Sequence, residues 1–176
     1  MKKVTSFPAQ CAGLALVLLS TGMLAQESAN RLSAPDSTFA AKAAQGGMAE
    51  VQLGQLATQK ASSPDVKAFG QQMVDDHSKA NEEFKGIASR KSVTLPSGLD
   101  AKDQATYDRL SKLDGAAFDR AYMADMVRDH RADIAEFERE AGHGSDPDIK
   151  GFASRTLPTL KHHLQMAESA QAKVGK

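Results

Sequence analysis

Apolar positions recur at intervals of three and four residues along four long stretches of the chain, and this spacing predicts four amphipathic helices. The first predicted helix covers residues 36–61, with Asp36 as its N-cap, and the second covers residues 64–90. The third and fourth cover residues 116–141 and 147–171. The alternating pattern of strands has no comparable signal. We therefore expect an all-α fold.

Turn residues between the predicted helices set the topology. Pro64 and Pro147 suit the first position of a helix, and the turns before them are short, so the helices that each turn joins are expected to be antiparallel neighbours. About 25 residues separate the second and third helices, which allows a crossover. Within it, residues 100–113 predict a short extra helix capped by Asp100. This layout is a ferritin-like four-helix bundle with a short extra helix in the crossover.

Two parts of the chain repeat each other at a constant offset. Residues 49–51 (Ala-Glu-Val) match residues 132–134 (Ala-Asp-Ile), and residues 64–69 match residues 147–152, an offset of 83 in both cases. A shared offset across a whole helix-turn-helix indicates that the first two helices form one hairpin and the last two form a related one.

The N-terminal residues carry the features of a secretory signal. Lys2 and Lys3 precede an apolar run over residues 11–19, which is followed by the small residues Ser20, Thr21, Gly22 and Ala25. The run is too short to span a bilayer. We expect a signal peptide over residues 1–25, a flexible segment over residues 26–35 and a helical domain over residues 36–172. The expected location is the periplasm or the outer-membrane surface, with no transmembrane span in the mature chain.

Composition and motifs exclude several classes of function. The one cysteine, Cys11, lies in the expected signal, so the mature chain has no thiol chemistry. Basic and acidic residues balance at 22 each, and aromatic residues make up 5% of the chain, so nucleic acid is not an expected partner. No zinc-protease, nucleophile-elbow, phosphate-loop or dinucleotide motif occurs, so the sequence does not indicate an enzyme. An unidentified envelope protein is a conceivable partner.

Five polar residues fall on the apolar faces of the predicted helices at one height. In each hairpin they lie 13 to 17 residues from the proline that opens its second helix. Buried carboxylates and imidazoles at one level could bind a transition-metal ion, since the burial of each group is otherwise costly. The candidate ligands are Glu50, His77, His130, Asp133 and His163.

Two interpretations of these residues stay open. In the first, which the sequence favours, the histidines are neutral core residues hydrogen-bonded to Glu50, Asp76 or Asp133, and the polar layer fixes the register of the helices. In the second, the same residues form a metal or redox centre. Methionine sulfur could serve copper there, but the helical spacing of the methionines favours core packing; these are Met48, Met73, Met123, Met126 and Met166.

Several short motifs together resemble one bacterial family. They include Ala49-Glu50-Val51, Met73-Val74-x-Asp76-His77, Met126-Val127-x-Asp129-His130 and Leu157-Pro158 with His163. From Phe39 to about Ala167 the chain resembles the envelope family known by its domain of unknown function 4142, which is placed among ferritin-like bundles. The resemblance implies an exported helical domain of undetermined biochemical role, described as an outer-membrane protein.

The resemblance to ferritin-like proteins does not extend to their di-iron sites. Those sites take a carboxylate from each of two helices and Glu-x-x-His from each of the other two. In this chain Val74 and Leu160 stand three residues before His77 and His163, so two of the carboxylates are missing. We expect a structural, stress-related or partner-binding domain of the cell envelope, and, as the alternative, a metal-binding or redox protein with a histidine and carboxylate site in the bundle core.

Overall fold

The computed structural model describes residues 32–175, and every regular element in that range is an α-helix. In chain order these are α1 (Ala34–Lys60), α2 (Pro64–Arg90), α3 (Ala101–Leu110), α4 (Gly115–His143) and α5 (Pro147–Val174). Helix α1 packs along α2 and α4 packs along α5, while α2 contacts α5 and α1 contacts α4. The predicted bundle of two hairpins, with a short helix in the crossover, is confirmed. The expected signal over residues 1–25 lies outside the described residues.

Helix caps agree with the sequence pattern at two of the long helices and differ at α1. Pro64 and Pro147 open α2 and α5 as predicted. Helix α1 begins at Ala34, so residues 34 and 35 are helical and not part of a flexible segment, and the Ser33 hydroxyl oxygen accepts the N–H of Asp36 at 3.2 Å. The prediction that Asp36 is the N-cap is wrong, because Ser33 is an equally good cap and Pro35 suits the first turn.

Asp36 instead joins the start of α1 to the turn between α4 and α5. Its carboxylate is buried and accepts the backbone N–H groups of Ser145 and Asp146 at 3.1 and 3.0 Å. Asp119 in α4 makes the equivalent contact with the turn between α1 and α2. Its carboxylate accepts the N–H groups of Ser62 and Ser63 at 3.1 and 3.0 Å. Each hairpin therefore binds the turn of the other.

These two contacts place the hairpin turns at opposite ends of the bundle. Helix α1 has 27 residues and is about 40 Å long, so Asp36 at its start is far from the turn at its end. Ion pairs lie at both ends: Lys91 Nζ is 2.8 Å from an Asp146 oxygen, and Lys60 Nζ is 3.0 Å from an Asp114 oxygen. The segment between α2 and α4 consequently crosses the length of the bundle.

The core consists of two apolar clusters with a polar level between them. One cluster includes Phe69, Met73 and Met123, and the other includes Phe39 and Phe152. In each long helix a buried polar residue separates the part that enters one cluster from the part that enters the other; these residues are Glu50, His77, His130 and His163. Between residues 32 and 175 no helix combines the length and the apolar character needed to cross a membrane.

Helices α1 and α2 approach closely where Gly54 faces Gly70. A Cβ atom on Gly54 would lie 2.6 Å from the carbonyl oxygen of Gly70, and one on Gly70 would lie 2.7 Å from the Cβ of Ala57. Such distances are far below van der Waals contact. The two backbones can pack at this distance only because neither position carries a side chain.

Candidate metal centre

Three histidines meet at the polar level, one from each of α2, α4 and α5. His77 is 7% exposed, and His130 and His163 are fully buried. One nitrogen of each ring lies within 4.8 Å of a nitrogen of both other rings. Around a tetrahedral metal ion with metal–nitrogen bonds of about 2.1 Å, the nitrogens lie ~3.4 Å apart. Side-chain movements of about 1 Å would bring the three nitrogens to the distances needed to bind one ion.

Hydrogen bonds occupy one nitrogen on two of these rings and leave the other nitrogen free. His130 Nδ1 is 3.0 Å from the Met126 carbonyl oxygen, and His163 Nε2 is 2.9 Å from Asp76 Oδ2. Both partners accept hydrogen bonds, so both of these nitrogens carry the proton. In the part of the chain that the structure describes, the buried ring nitrogens without a partner are His77 Nε2, His130 Nε2 and His163 Nδ1. Each histidine thus offers one lone pair.

The three imidazoles are held in the neutral form, which is the form that binds metal ions. Burial, together with the neighbouring His130 and His163, lowers the pKa of His77 to about 3. Burial also lowers the pKa of His130 to about 4. The pKa of His163 is lowered by burial, although Asp76 opposes that shift.

A group of three carboxylates, the acidic group, adjoins the histidines. It comprises Glu50 of α1 with Asp129 and Asp133 of α4, and one oxygen of each lies within 4.8 Å of an oxygen of the other two. Glu50 is fully buried, and no described residue forms a hydrogen bond with either of its carboxylate oxygens. Glu50 Oε1 is 3.6 Å from His130 Nδ1, too far for a hydrogen bond. The two groups are neighbours but separate.

Burial and mutual repulsion dominate the electrostatics of the acidic group. Burial raises the pKa of Glu50 well above its ordinary value, and the charges of Asp129 and Asp133 add to the shift. Burial and then Asp129 raise the pKa of Asp133 to about 7. Within residues 32–175, the one cation in contact with the group is Lys102 of α3, whose Nζ lies 3.3 Å from Asp129 Oδ1. The described residues therefore leave the inner carboxylates without a counter-charge.

A small cleft at the surface of the bundle reaches His77. About 40 Å³ of space between the helices is lined by His77, Asp133 and Phe137 among others, which is enough for a water molecule. Lys42 and Glu136 also line it, and they form an ion pair of 3.0 Å. Solvent and small ions have a route to His77.

The structure divides the five predicted ligands between the two groups. His77, His130 and His163 come together, whereas Glu50 and Asp133 belong to the acidic group. Sequence reasoning missed Asp129, although it stands one helical turn before Asp133, where two carboxylates must share a helix face.

The predicted hydrogen-bond acceptors of the histidines are only partly correct. Asp76 accepts from His163 as expected. Neither Glu50 nor Asp133 accepts from a histidine, because the Nδ1 of His130 already donates to a carbonyl of its own helix.

Four of the five methionines between residues 32 and 175 lie in an apolar cluster of the core or pack against it. Met73, Met123 and Met126 are buried in one of the apolar clusters, and Met166 packs against the same cluster. Met48 lies half-buried beside a different surface depression, together with Leu95 and Pro96. The prediction that the methionines serve packing is confirmed for the four that contact the apolar cluster.

Comparison with known proteins places the fold and the family. A solved structure described as "Crystal structure of DUF305 fragment from Deinococcus radiodurans" matches with a TM-score of 0.71 at 12% identity, covering 81% of this chain and 98% of that chain. At that identity the likeness shows the fold. No curated protein matches this chain. The family described as "Domain of unknown function (DUF4142)" matches residues 21–170. Since that match spans most of the sequence, the chain belongs to the DUF4142 family.

Proposed function

We propose that this domain binds one divalent transition-metal ion through the imidazoles of His77, His130 and His163. The proposal rests on two observations: one nitrogen of each ring lies within 4.8 Å of a nitrogen of both other rings, and each ring has a buried nitrogen without a hydrogen-bond partner among the described residues. A buried polar atom without a partner is costly. A layer that served register alone would pair these nitrogens with acceptors or donors within the bundle.

The donor set determines which ions suit the site. Neutral imidazole nitrogens favour Zn²⁺, Cu²⁺, Ni²⁺ and Fe²⁺ over Mg²⁺ and Ca²⁺. Three protein ligands leave a fourth position open, which the cleft beside His77 can supply with water. The carbonyl of Met126 and the carboxylate of Asp76 accept hydrogen bonds from His130 Nδ1 and His163 Nε2 and so orient these two rings. Ligating histidines commonly have such partners.

Export would put this metal site in the cell envelope. The signal expected over residues 1–25 supports a periplasmic or outer-membrane-associated location, where the domain would bind or buffer a metal ion. Without a catalytic motif in the sequence, metal binding is the proposed activity, and a partner protein that receives or supplies the ion is compatible with it.

Cobalt provides the direct test, because tetrahedral Co²⁺ absorbs visible light. The chain without residues 1–25, purified without an affinity tag and freed of metal by a chelator, is titrated with Co²⁺ and with Zn²⁺. We expect one ion per chain and a visible absorption band. His130→Ala should weaken binding at least a hundredfold, because it removes one of three ligands.

His162→Ala is the matched control, since His162 is exposed and precedes His163 on the same helix. It should bind Co²⁺ like the unmodified protein. An unmodified chain that takes up neither ion would contradict the proposal. The histidines would then form a register layer, and His130→Ala would lower the stability of the bundle without any effect on metal content.

A further inference from the structure

We propose that the acidic group of Glu50, Asp129 and Asp133 is a second cation site, distinct from the imidazole site, which takes a hard divalent cation such as Mn²⁺. This inference goes beyond the proposed function and does not depend on it. Its donors are all oxygens, which suit Mn²⁺, Mg²⁺ and Ca²⁺.

The state of Glu50 is the first observation behind this site. Its side chain comes from α1, is fully buried and has two carboxylate oxygens without a hydrogen-bond partner. Asp129 and Asp133 face it from successive turns of α4, with one oxygen of each within 4.8 Å. Bonds of about 2.2 Å place carboxylate oxygens ~3 to 4.4 Å apart around one ion. The three side chains are therefore close to ligating distance.

Tyr122 of α4 is another buried polar side chain. It is fully buried, and its hydroxyl has no hydrogen-bond partner among the described residues. Burial raises the pKa of this phenol, and the charge of Glu50 adds to the shift. The core therefore contains a third unpaired oxygen besides the two of Glu50.

The orientation of His130 separates this site from the imidazole site. Its Nδ1 lies on the side of Glu50, 3.6 Å from Oε1, and is protonated because it donates to the Met126 carbonyl. Its Nε2 is the free nitrogen. One ring therefore lies between two groups and offers a lone pair to only one of them, so a single ion cannot use the ligands of both.

Lys102 occupies the outer edge of the acidic group. Its side chain is 70% exposed, and its ammonium contacts Asp129 but not the buried Glu50. A divalent ion at Asp129 would compete with this ammonium. Removing the charge by Lys102→Gln should raise the affinity for Mn²⁺ about two- to fivefold, as expected for an exposed ion pair. Lys173→Gln, which breaks a similar exposed pair with Asp65, is the control and should have no effect.

Electron paramagnetic resonance of Mn²⁺ tests the site, since only free Mn²⁺ gives the intense six-line signal. Metal-free protein without residues 1–25 is titrated with MnCl₂. We expect one Mn²⁺ per chain, an affinity at least tenfold lower in Glu50→Gln and in Asp133→Asn, and unchanged binding in Asp75→Asn, which alters an exposed carboxylate. Both neutral variants relieve buried charge, so they should fold; circular dichroism checks this.

The histidine variants separate this proposal from the preceding one. His77→Ala, with His163→Ala as a second variant, should abolish the Co²⁺ band and leave Mn²⁺ binding intact. If the unmodified protein takes up no Mn²⁺, or if the histidine variants lose Mn²⁺ together with Co²⁺, the second site is disproved. Retained Mn²⁺ binding without any Co²⁺ band in the unmodified protein would disprove the imidazole site and support the acidic one.

Discussion

Asp76 and the carbonyl of Met126 orient the histidine cluster at the level of single residues. Each bonds the ring nitrogen that the cluster does not use, and so fixes which nitrogen keeps its lone pair. Asp76 also accepts from Gln72 at 2.6 Å. Burial raises the pKa of Asp76, but the hydrogen bonds from Gln72 and His163 outweigh it and lower the pKa below its ordinary value. Asp76 is therefore charged when it bonds His163.

Asp76→Ala should weaken Co²⁺ or Zn²⁺ binding about 10- to 100-fold, because the His163 ring loses the group that orients it. Asp75→Ala is the matched control: Asp75 is exposed and accepts from Gln71 at 2.9 Å, the same four-residue spacing as Gln72 and Asp76. Competition with a chromogenic chelator measures both affinities. Equal affinities in the two variants would show that Asp76 has no positioning role.

Burial of the site residues could be predicted from the sequence, but of their hydrogen-bond acceptors only Asp76 could. The 3.6-residue period of a helix is a local property of the sequence. It correctly predicts that His77, His130 and His163 face the core. The separation of the carboxylates from the histidines depends on side-chain rotamers and on which ring nitrogen is protonated. Packing between helices determines both the rotamers and the protonated nitrogen. The residue pattern within one helix carries no information about that packing.

At the scale of helices, the crossing of Gly54 and Gly70 sets how closely α1 and α2 approach. The same hairpin carries Glu50 one turn before Gly54 and His77 two turns after Gly70. Their heights in the bundle follow from this crossing. A shift of one helix along the other would move both residues out of the polar level.

Gly54→Ala should lower the free energy of unfolding by about 1–3 kcal/mol, because the added methyl would meet the Gly70 carbonyl and force the helices apart. Gly46→Ala in the same helix has no atom within 4 Å of the added Cβ. It should raise the free energy of unfolding by about 0.5–1 kcal/mol through better helix propensity. Urea denaturation followed by circular dichroism measures both, and destabilisation by both variants would contradict this account of the crossing.

Helix ends marked by proline were predictable, and the start of α1 was not. Pro64 and Pro147 open their helices because proline has no N–H to lose there. Ser33 and Asp36 are both good capping residues, and the sequence near them does not distinguish them. The partners of Asp36 lie more than a hundred positions later, so its role depends on the tertiary fold.

Over the whole molecule, the sequence repeat corresponds to repeated contacts. Asp36 and Asp119 are 83 positions apart, and so are the turns at residues 62–63 and 145–146 to which Asp119 and Asp36 bind. Glu50 and Asp133 share the same offset and meet in the acidic group. The two hairpins are therefore related both in sequence and in the contacts they make with each other.

Asp36→Asn and Asp119→Asn should each lower the free energy of unfolding by about 1–3 kcal/mol, since two part-buried hydrogen bonds from turn N–H groups lose a charged acceptor. Because the two sites are at opposite ends, the double variant should show the sum to within about 0.5 kcal/mol. Asp108→Asn, at an exposed position of α3, is the control. Urea unfolding should remain a single transition in every variant; two transitions would show that the hairpins fold independently.

The reciprocal bonds of Asp36 and Asp119 also bear on the ancestry of the fold. A single hairpin of this type carries both a carboxylate near its start and a turn that such a carboxylate can bind. Two identical copies would therefore be self-complementary and would pair about a twofold axis. The related carboxylates at positions 50 and 133 would then meet at that axis. The present chain has the organisation of such a homodimer joined into one polypeptide, and its buried polar level lies where the two hairpins meet.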